Sequence, residues 1–185
     1  METETDVIMA PDSYRKEAAD KHIRYAVEPC PLGLILVAAT PKGVCAIEFD
    51  DREEALVKRL QERFPKARFE PADPEFKSWI AKVLRYIEHP RGALDLPLDV
   101  QGTVFQRRVW QALQAIPAGQ TASYSEIARR IGQPKAYRAV AHAVAGNRLA
   151  MAIPCHRAVR ADGDLSGYRW GVERKTELLR RESEK

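Results

Sequence analysis

Residues 103–146 read TVFQRRVWQALQAIPAGQTASYSEIARRIGQPKAYRAVAHAVAG, and the helix signals within them decide the fold of the chain. Thr103-x-x-Gln106 is a capping box, in which each side chain satisfies a backbone N–H that the first helical turn leaves free. It predicts a helix with Phe105, Val109, Leu113 and Ile116 along one side, closed by Pro117 and Gly119. Ser123-x-x-Glu126 repeats the signal and opens a short helix, Tyr124 to Ile131, that Gly132 stops. Pro134 then suits the N1 position of a third helix reaching Val144, with Gly146 past its end. Two short capped helices across a tight glycine turn form a helix-turn-helix signature. The last of them, Lys135 to Val144, is mostly small residues around one long cation, Arg138. Small side chains let a helix approach a partner closely, with Arg138 reaching into it. The other reading is a helix packed inside the protein with Arg138 snorkelling to solvent. The basic surroundings favour a helix that faces DNA. His142 reads as an ordinary surface or core residue.

Downstream lies Ile153-Pro154-Cys155-His156-Arg157. Pro154 fixes its own φ and pushes Ile153 toward extended backbone, so Cys155 is expected on a turn outside any helix. A thiol is a strong nucleophile only as thiolate. An adjacent imidazole that takes its proton, or holds positive charge beside it, makes thiolate available at neutral pH. From the dipeptide alone, a buried structural Cys is the competing reading. Beyond it, Ala158–Arg160 and Asp164–Ser166 flank Ala161-Asp162-Gly163, a turn fit for a tight hairpin or wing. A final helix, about Val172 to Glu182, turns Leu178 and Leu179 inward.

Upstream, His22–Val27, Leu34–Ala39 and Val44–Phe49 are β-rich runs separated by Pro-Leu-Gly and Pro-Lys-Gly turns, which predicts an antiparallel meander. Helical periodicity follows over Glu53–Phe64 and Glu75–Glu88, the second with Phe76, Ile80, Val83, Leu84 and Ile87 inward. Leu94–Val100, with Pro97 inside, is an edge strand or an extended connector. Residues 1–21 are polar and aperiodic and read as a flexible tail.

Of the 185 residues 45% are hydrophobic, which allows one medium domain or two small ones. No apolar run approaches the roughly 20 residues of a membrane span, and the first residues lack signal-peptide features. Three Cys, an odd number without C-x-x-C, argue against a disulfide framework and a zinc ribbon, so a reducing, cytoplasmic setting is expected. The net charge of +4 is unevenly divided. Residues 1–102 hold 15 Lys and Arg against 19 Asp and Glu, net −4; residues 103–185 hold 15 against 7, net +8. A basic half on an acidic one suits a polyanion partner, nucleic acid first, or an ordinary solvated surface rich in Arg.

The ordered set Phe105–Ile116, Ser123-Tyr124, Arg138, Asn147, Pro154-Cys155-His156-Arg157 and Ser166-Gly167-Tyr168 resembles the O6-alkylguanine-DNA alkyltransferase family, also called methylated-DNA–protein-cysteine methyltransferase. The likeness covers about residues 23–183 and is strongest to the C-terminal half of bacterial adaptive-response proteins. It implies an α/β (α+β) N-terminal domain over 22–100 with a small three-stranded antiparallel sheet. A mainly helical, winged helix-turn-helix domain would follow over 101–185.

The resemblance also implies roles. Cys155 accepts an alkyl group from O6 of guanine, or O4 of thymine, and is consumed once. His156 draws its proton through a water, and Glu182 orients the imidazole. Tyr124 donates to the guanine leaving group, and Asn147 holds the turn before the active-site segment. Pro154, Ala158, Tyr168, Arg169 and Trp170 form the substrate pocket, with backbone around Ala158 and Arg169 reading the base edges. The target atom lies inside the duplex, so the base is extruded and Arg138 fills the space. Lys135, Ala136, Tyr137, Ala139 and Ser123 join Arg138 at the minor groove of double-stranded DNA. A monomer in the bacterial cytosol or nucleoid is expected, with no membrane partner and no cofactor. Three departures stand out. Tyr137 is larger than is common in the family, and Trp170 narrows the pocket. Thr40 stands where zinc-binding members carry a Cys, so no metal is expected; nor is a promoter-activating role, because the four-Cys module of the adaptive-response proteins is lacking. A non-catalytic protein that binds alkylated DNA is the alternative; such proteins lack the nucleophile. A transcription regulator fits less well, because an Ala-rich helix offers few base-edge donors. A Cys hydrolase is more distant still.

Overall fold

A computed structural model of the chain describes residues 22–165 and 167–184. The tail expected over 1–21 lies outside the described residues, as do Ser166 and Lys185. The three β-rich runs become β1 (His22–Cys30), β2 (Gly33–Thr40) and β3 (Gly43–Asp50), paired as the expected antiparallel meander. Each hairpin turns through two residues, Pro31-Leu32 and Pro41-Lys42, where the proline presets φ at the first loop position. The sheet has four strands among the described residues, and not three: β4 (Arg68–Glu70) pairs parallel to β1, giving the order β3-β2-β1-β4. A three-residue strand with two charged side chains is too short to show periodicity, which is why the sequence hid it.

Both faces of the sheet are covered. Leu36 and Ala38 of β2 pack with Leu56 and Leu60 of α1 (Glu53–Arg63), while Ile35, Val37 and Ala39 face the opposite side. That opposite face joins Val83 and Ile87 of α2 (Pro74–Glu88) and the apolar residues of the C-terminal half in one continuous core. A strand buried on both faces reads as a run of apolar residues, as Ile35–Ala39 does.

The β3 edge is closed by two extended segments. Val44 donates to Pro97 O at 2.8 Å and accepts from Asp99 N at 2.8 Å; Ile47 donates to Arg148 O at 2.9 Å and accepts from Ala150 N at 3.0 Å. Leu94–Val100 is therefore an extended connector with a single bridge, and Pro97, which has no N–H, takes part through its carbonyl. Gly43 allows this approach: a Cβ there would lie 2.6 Å from Pro97 O, and its φ is +150°. The second segment docks the chain just ahead of Cys155 onto the N-terminal sheet.

Both capping boxes are present, at Thr103/Gln106 before α3 (Val104–Gln114) and at Ser123/Glu126 before α4 (Tyr124–Arg130). Each cap contributes about 1 kcal/mol. The next helix departs from expectation: α5 spans Tyr137–Ala145, and Pro134 is not at its N1. Gln133–Ala136 instead form a turn closed by Ala136 N→Gln133 O at 2.9 Å. Proline's φ suits the second position of such a turn as well as N1, so the sequence signal fits both. The wing also differs. β5 (Ala122–Ser123) pairs parallel with β6 (Ala158–Val159). The 161–163 turn is closed by Gly163 N→Arg160 O and Arg160 N→Asp164 O, without a return strand among the described residues. α6 (Val172–Ser183) completes the helical domain. No helix among the described residues is long and apolar enough to cross a membrane.

Candidate active site

Cys155–Arg157 form one 3-10 turn directly after Pro154, so the thiol sits on a turn as the proline implied. Two devices place that turn. Asn147, just past α5 and 1% exposed, clips the preceding loop: its Nδ2 donates to Leu149 O (3.3 Å) and Ile153 O (2.9 Å), and its Oδ1 accepts from Leu149 N (2.9 Å). Inside the clipped loop Met151 has φ of 67°, a left-handed conformation that a non-glycine residue adopts only where its surroundings impose it. The Asn147 side chain also works to lower the pKa of the thiol.

Cys155, His156 and Arg157 are all buried. His156 Nε2 lies 2.6 Å from Glu182 Oε1, on the last turn of α6. Burial works to raise the Glu182 carboxyl, but the hydrogen bonds from His156 and Arg157 outweigh it and hold the group down at about 2. A carboxylate here accepts the Nε2 proton, which leaves Nδ1 as the basic nitrogen of a neutral imidazole. His156 Nδ1 is buried and has no hydrogen-bond partner among the described residues. Burial lowers the His156 pKa, so the ring is neutral at physiological pH.

The thiol corrects one expectation. Burial pushes Cys155 up to about 11, against the opposing pull of Asn147, Lys175 and Arg169. The resting pair is therefore thiol plus neutral imidazole, and the thiolate forms only when the proton moves.

Two tyrosines couple electrostatically to the thiol: burial raises the pKa of both Tyr124 and Tyr168, and negative charge developing on Cys155 raises each further, so both hydroxyls stay protonated. Tyr168 Oη and Trp170 Nε1 are buried without partners among the described residues. Trp170 packs edge-on against Tyr168 (5.4 Å between centroids) and against Phe49 of β3 (6.2 Å), so it ties Tyr168 to the N-terminal sheet. The Ala158 N–H bonds Cys155 O, and its carbonyl accepts from Lys175 Nζ at 2.6 Å. The exposed Arg169 side chain donates to Ala145 O, at the end of α5, at 3.0 Å.

The outer face of α5 and the turn before it carry the exposed side chains of Lys135, Tyr137, Arg138 and Ala139, with Ala136 half-buried. The Arg138 guanidinium stacks 5.8 Å from the Tyr137 ring centroid. Ser123 is committed as an N-cap, its hydroxyl accepting from Glu126 N at 3.1 Å. The structure thus forms two groups, a buried cluster at Cys155 and an exposed set at α5, joined by the Asn147 turn. No group of three His, Cys, Asp or Glu side chains is gathered as a metal site among the described residues.

Sequence reasoning missed Arg157 and Lys175 as members of the cluster. Lys175, Leu178 and Glu182 fall three and four residues apart, one face of a helix, and that spacing was the available signal for Lys175. Arg157 had no such signal.

The comparisons with known proteins follow the same division. Residues 104–184 match the family described as "6-O-methylguanine DNA methyltransferase, DNA binding domain", and residues 23–100 match "6-O-methylguanine DNA methyltransferase, ribonuclease-like domain". The inducible methylated-DNA–protein-cysteine methyltransferase of Bacillus subtilis (strain 168) is 38% identical over 144 residues, covering 77% of this chain and 80% of that protein. The chain belongs to the 6-O-methylguanine DNA methyltransferase family. Within this methyltransferase family it is 49% identical over 176 residues to the bifunctional transcriptional activator/DNA repair enzyme Ada of Escherichia coli (strain K12). That alignment covers 95% of this chain and 50% of Ada, so the chain spans about half the length of that relative. Among solved structures of the methyltransferase family, that of Mycobacterium tuberculosis OGT in complex with DNA superposes with a TM-score of 0.71 at 34% identity, covering 88% of this chain and 92% of that one.

Proposed function

We propose that the protein repairs DNA by direct, stoichiometric transfer of an alkyl group from O6-alkylguanine, and from O4-alkylthymine, to Cys155 after the base is flipped from the duplex. The observation that carries the reading is a buried thiol next in sequence to a His156–Glu182 pair whose Nδ1 has no partner among the described residues, in a chain of the methyltransferase family.

The step balances within these groups. Cys155 Sγ attacks the alkyl carbon in line with the bond to O6; the C–S bond forms, the C–O bond breaks, and its electron pair stays on the base. The thiol proton passes to His156 Nδ1, directly or through a water. The Tyr124 hydroxyl hydrogen-bonds the base as charge develops on it. Tyr124 gives that hydrogen-bonded proton to the base, which leaves as neutral guanine, and the proton held by His156 then restores the tyrosine hydroxyl. A thioether offers no route back, so each molecule acts once and needs no cofactor. Titrating the protein with lesion-bearing duplex tests this: transfer is expected to stop at one alkyl group per molecule, and continued turnover would contradict the reading.

Thiol with neutral imidazole and thiolate with imidazolium hold the same number of protons. The single-turnover rate is therefore expected to be flat from about pH 7 to 9, falling only as acid protonates His156, whose pKa lies below 6.5. Were the thiolate formed by solvent alone, the rate would climb about tenfold per pH unit toward 11. A stopped-time rate profile distinguishes the two.

In this reading α5 lies in the minor groove and Arg138 fills the space that the extruded base leaves, with affinity from phosphate contacts that weaken with salt. Arg138→Ala is expected to slow transfer from duplex DNA by about tenfold or more while leaving transfer from a free modified base unchanged. Equal slowing on both substrates would remove Arg138 from base extrusion. The protein works as a cytoplasmic monomer. A non-catalytic alkylated-DNA-binding role is disfavoured because the nucleophile is present.

A further inference from the structure

The chemistry described so far draws only on the C-terminal domain, yet one side chain of the N-terminal domain reaches the group that holds the catalytic carboxylate. Tyr86, in the last turn of α2, is 7% exposed. Its hydroxyl donates to Gly92 O at 3.1 Å, in the loop that follows α2, and accepts from Arg157 Nη2 at 3.2 Å. Arg157 sends Nη1 to Ile116 O at 2.6 Å, and Nε and Nη2 to the two oxygens of Glu182 at 2.7–3.1 Å. Tyr86 and Glu182 are its only side-chain partners among the described residues.

A guanidinium is a rigid plane with its donors in fixed directions, so anchoring two of its edges fixes the third. Ile116 O and the Tyr86 hydroxyl hold the edges that face away from Glu182. The Nε–Nη2 edge then presents a set fork to the carboxylate. Glu182 Oε1 is shared between Arg157 Nη2 and His156 Nε2, so its position depends on where that fork stands.

We propose that Tyr86 is a positioning residue for alkyl transfer: the N-terminal domain uses its hydroxyl to hold Arg157, and Arg157 holds Glu182 against His156. The proposal rests on the function assigned above. It gives the sheet domain a part in catalysis beyond packing. The charged groups around His156 are Glu182 and Lys175 from α6 and Arg157 from its own turn, and the neutral Tyr86 hydroxyl of α2 meets Arg157. Loosening Arg157 leaves the carboxylate less neutralised beside His156, which makes the imidazole more basic.

Tyr86→Phe removes one oxygen and keeps the ring in the core. With saturating duplex containing O6-methylguanine, the single-turnover rate of methyl transfer is expected to fall about tenfold at neutral pH. DNA affinity should stay at the wild-type level, and the acid limb of the rate profile should move to higher pH. In an Arg157→Lys background, which keeps the charge and loses the fork, Tyr86→Phe should add no further slowing, because both changes act on one contact. A purely structural role would lower the fraction of competent protein at every pH and leave the limb in place. That result, or a wild-type rate and limb, overturns the proposal. Absence of transfer in the wild-type protein would overturn the parent reading and this one together, and the wild-type arm shows which has failed.

Discussion

Replacing Cys155 by Ser is expected to slow alkyl transfer by at least about a thousandfold, with affinity for lesion-bearing duplex within about twofold of wild type. The side chain changes by a single atom inside a turn held by Asn147 and Pro154, so the fold should persist. The chemistry does not. A hydroxyl is a far weaker acid than a thiol, and His156, whose pKa burial already lowers, is too weak a base to compensate. Gel-shift titration and single-turnover transfer, run on the same preparation, separate binding from reaction. Parallel loss of both would mean that Cys155 supports the structure of the DNA-binding face and not the reaction.

The second large effect is at Glu182. Its carboxylate is bonded by His156 Nε2 and by two nitrogens of Arg157, and Oε2 also accepts from Gly119 N at 3.3 Å. Glu182→Gln keeps the shape and removes the charge. An amide that turns its NH2 toward His156 favours the tautomer with the proton on Nδ1, where the thiol proton has to go. A loss of about 10² to 10⁴ in transfer rate is expected. Arg157, 4% exposed, is at the same time left as a buried cation without a counter-charge, a situation that costs about 3–5 kcal/mol. Urea unfolding should show that loss. A variant with wild-type rate and wild-type midpoint would remove Glu182 from both roles.

Helices α3 and α4 were legible because their N-terminal ends carry local chemistry. The Thr103/Gln106 and Ser123/Glu126 boxes act within four residues, so sequence alone reports them. The meander was legible for the same reason: two Pro-containing loops set its hairpins. What stayed hidden was non-local. β4 exists because Arg68–Glu70 happens to lie along β1, and Leu149 pairs with Ile47 of β3, 102 residues earlier in the chain. Pro134 misled because one φ value suits two backbone positions.

The site divides in the same way. Cys155 and His156 are adjacent in sequence, and Glu182 follows from the family resemblance. Their electrostatics could not be read: the raised thiol pKa comes from burial, and burial is a property of the packed whole. Arg157 and Tyr86 are 71 residues apart and meet only because the two domains share one core.

The account stands most directly on where the alkyl group ends. The protein, under reducing conditions, should be mixed with duplex DNA containing O6-methylguanine and its intact mass measured, followed by peptide mapping. A gain of about 14 Da, a methyl replacing the thiol hydrogen, is expected on Cys155, in proportion to the lesion supplied and never exceeding one per molecule. An unchanged mass, or a methyl group on Cys30 or Cys45, would contradict it.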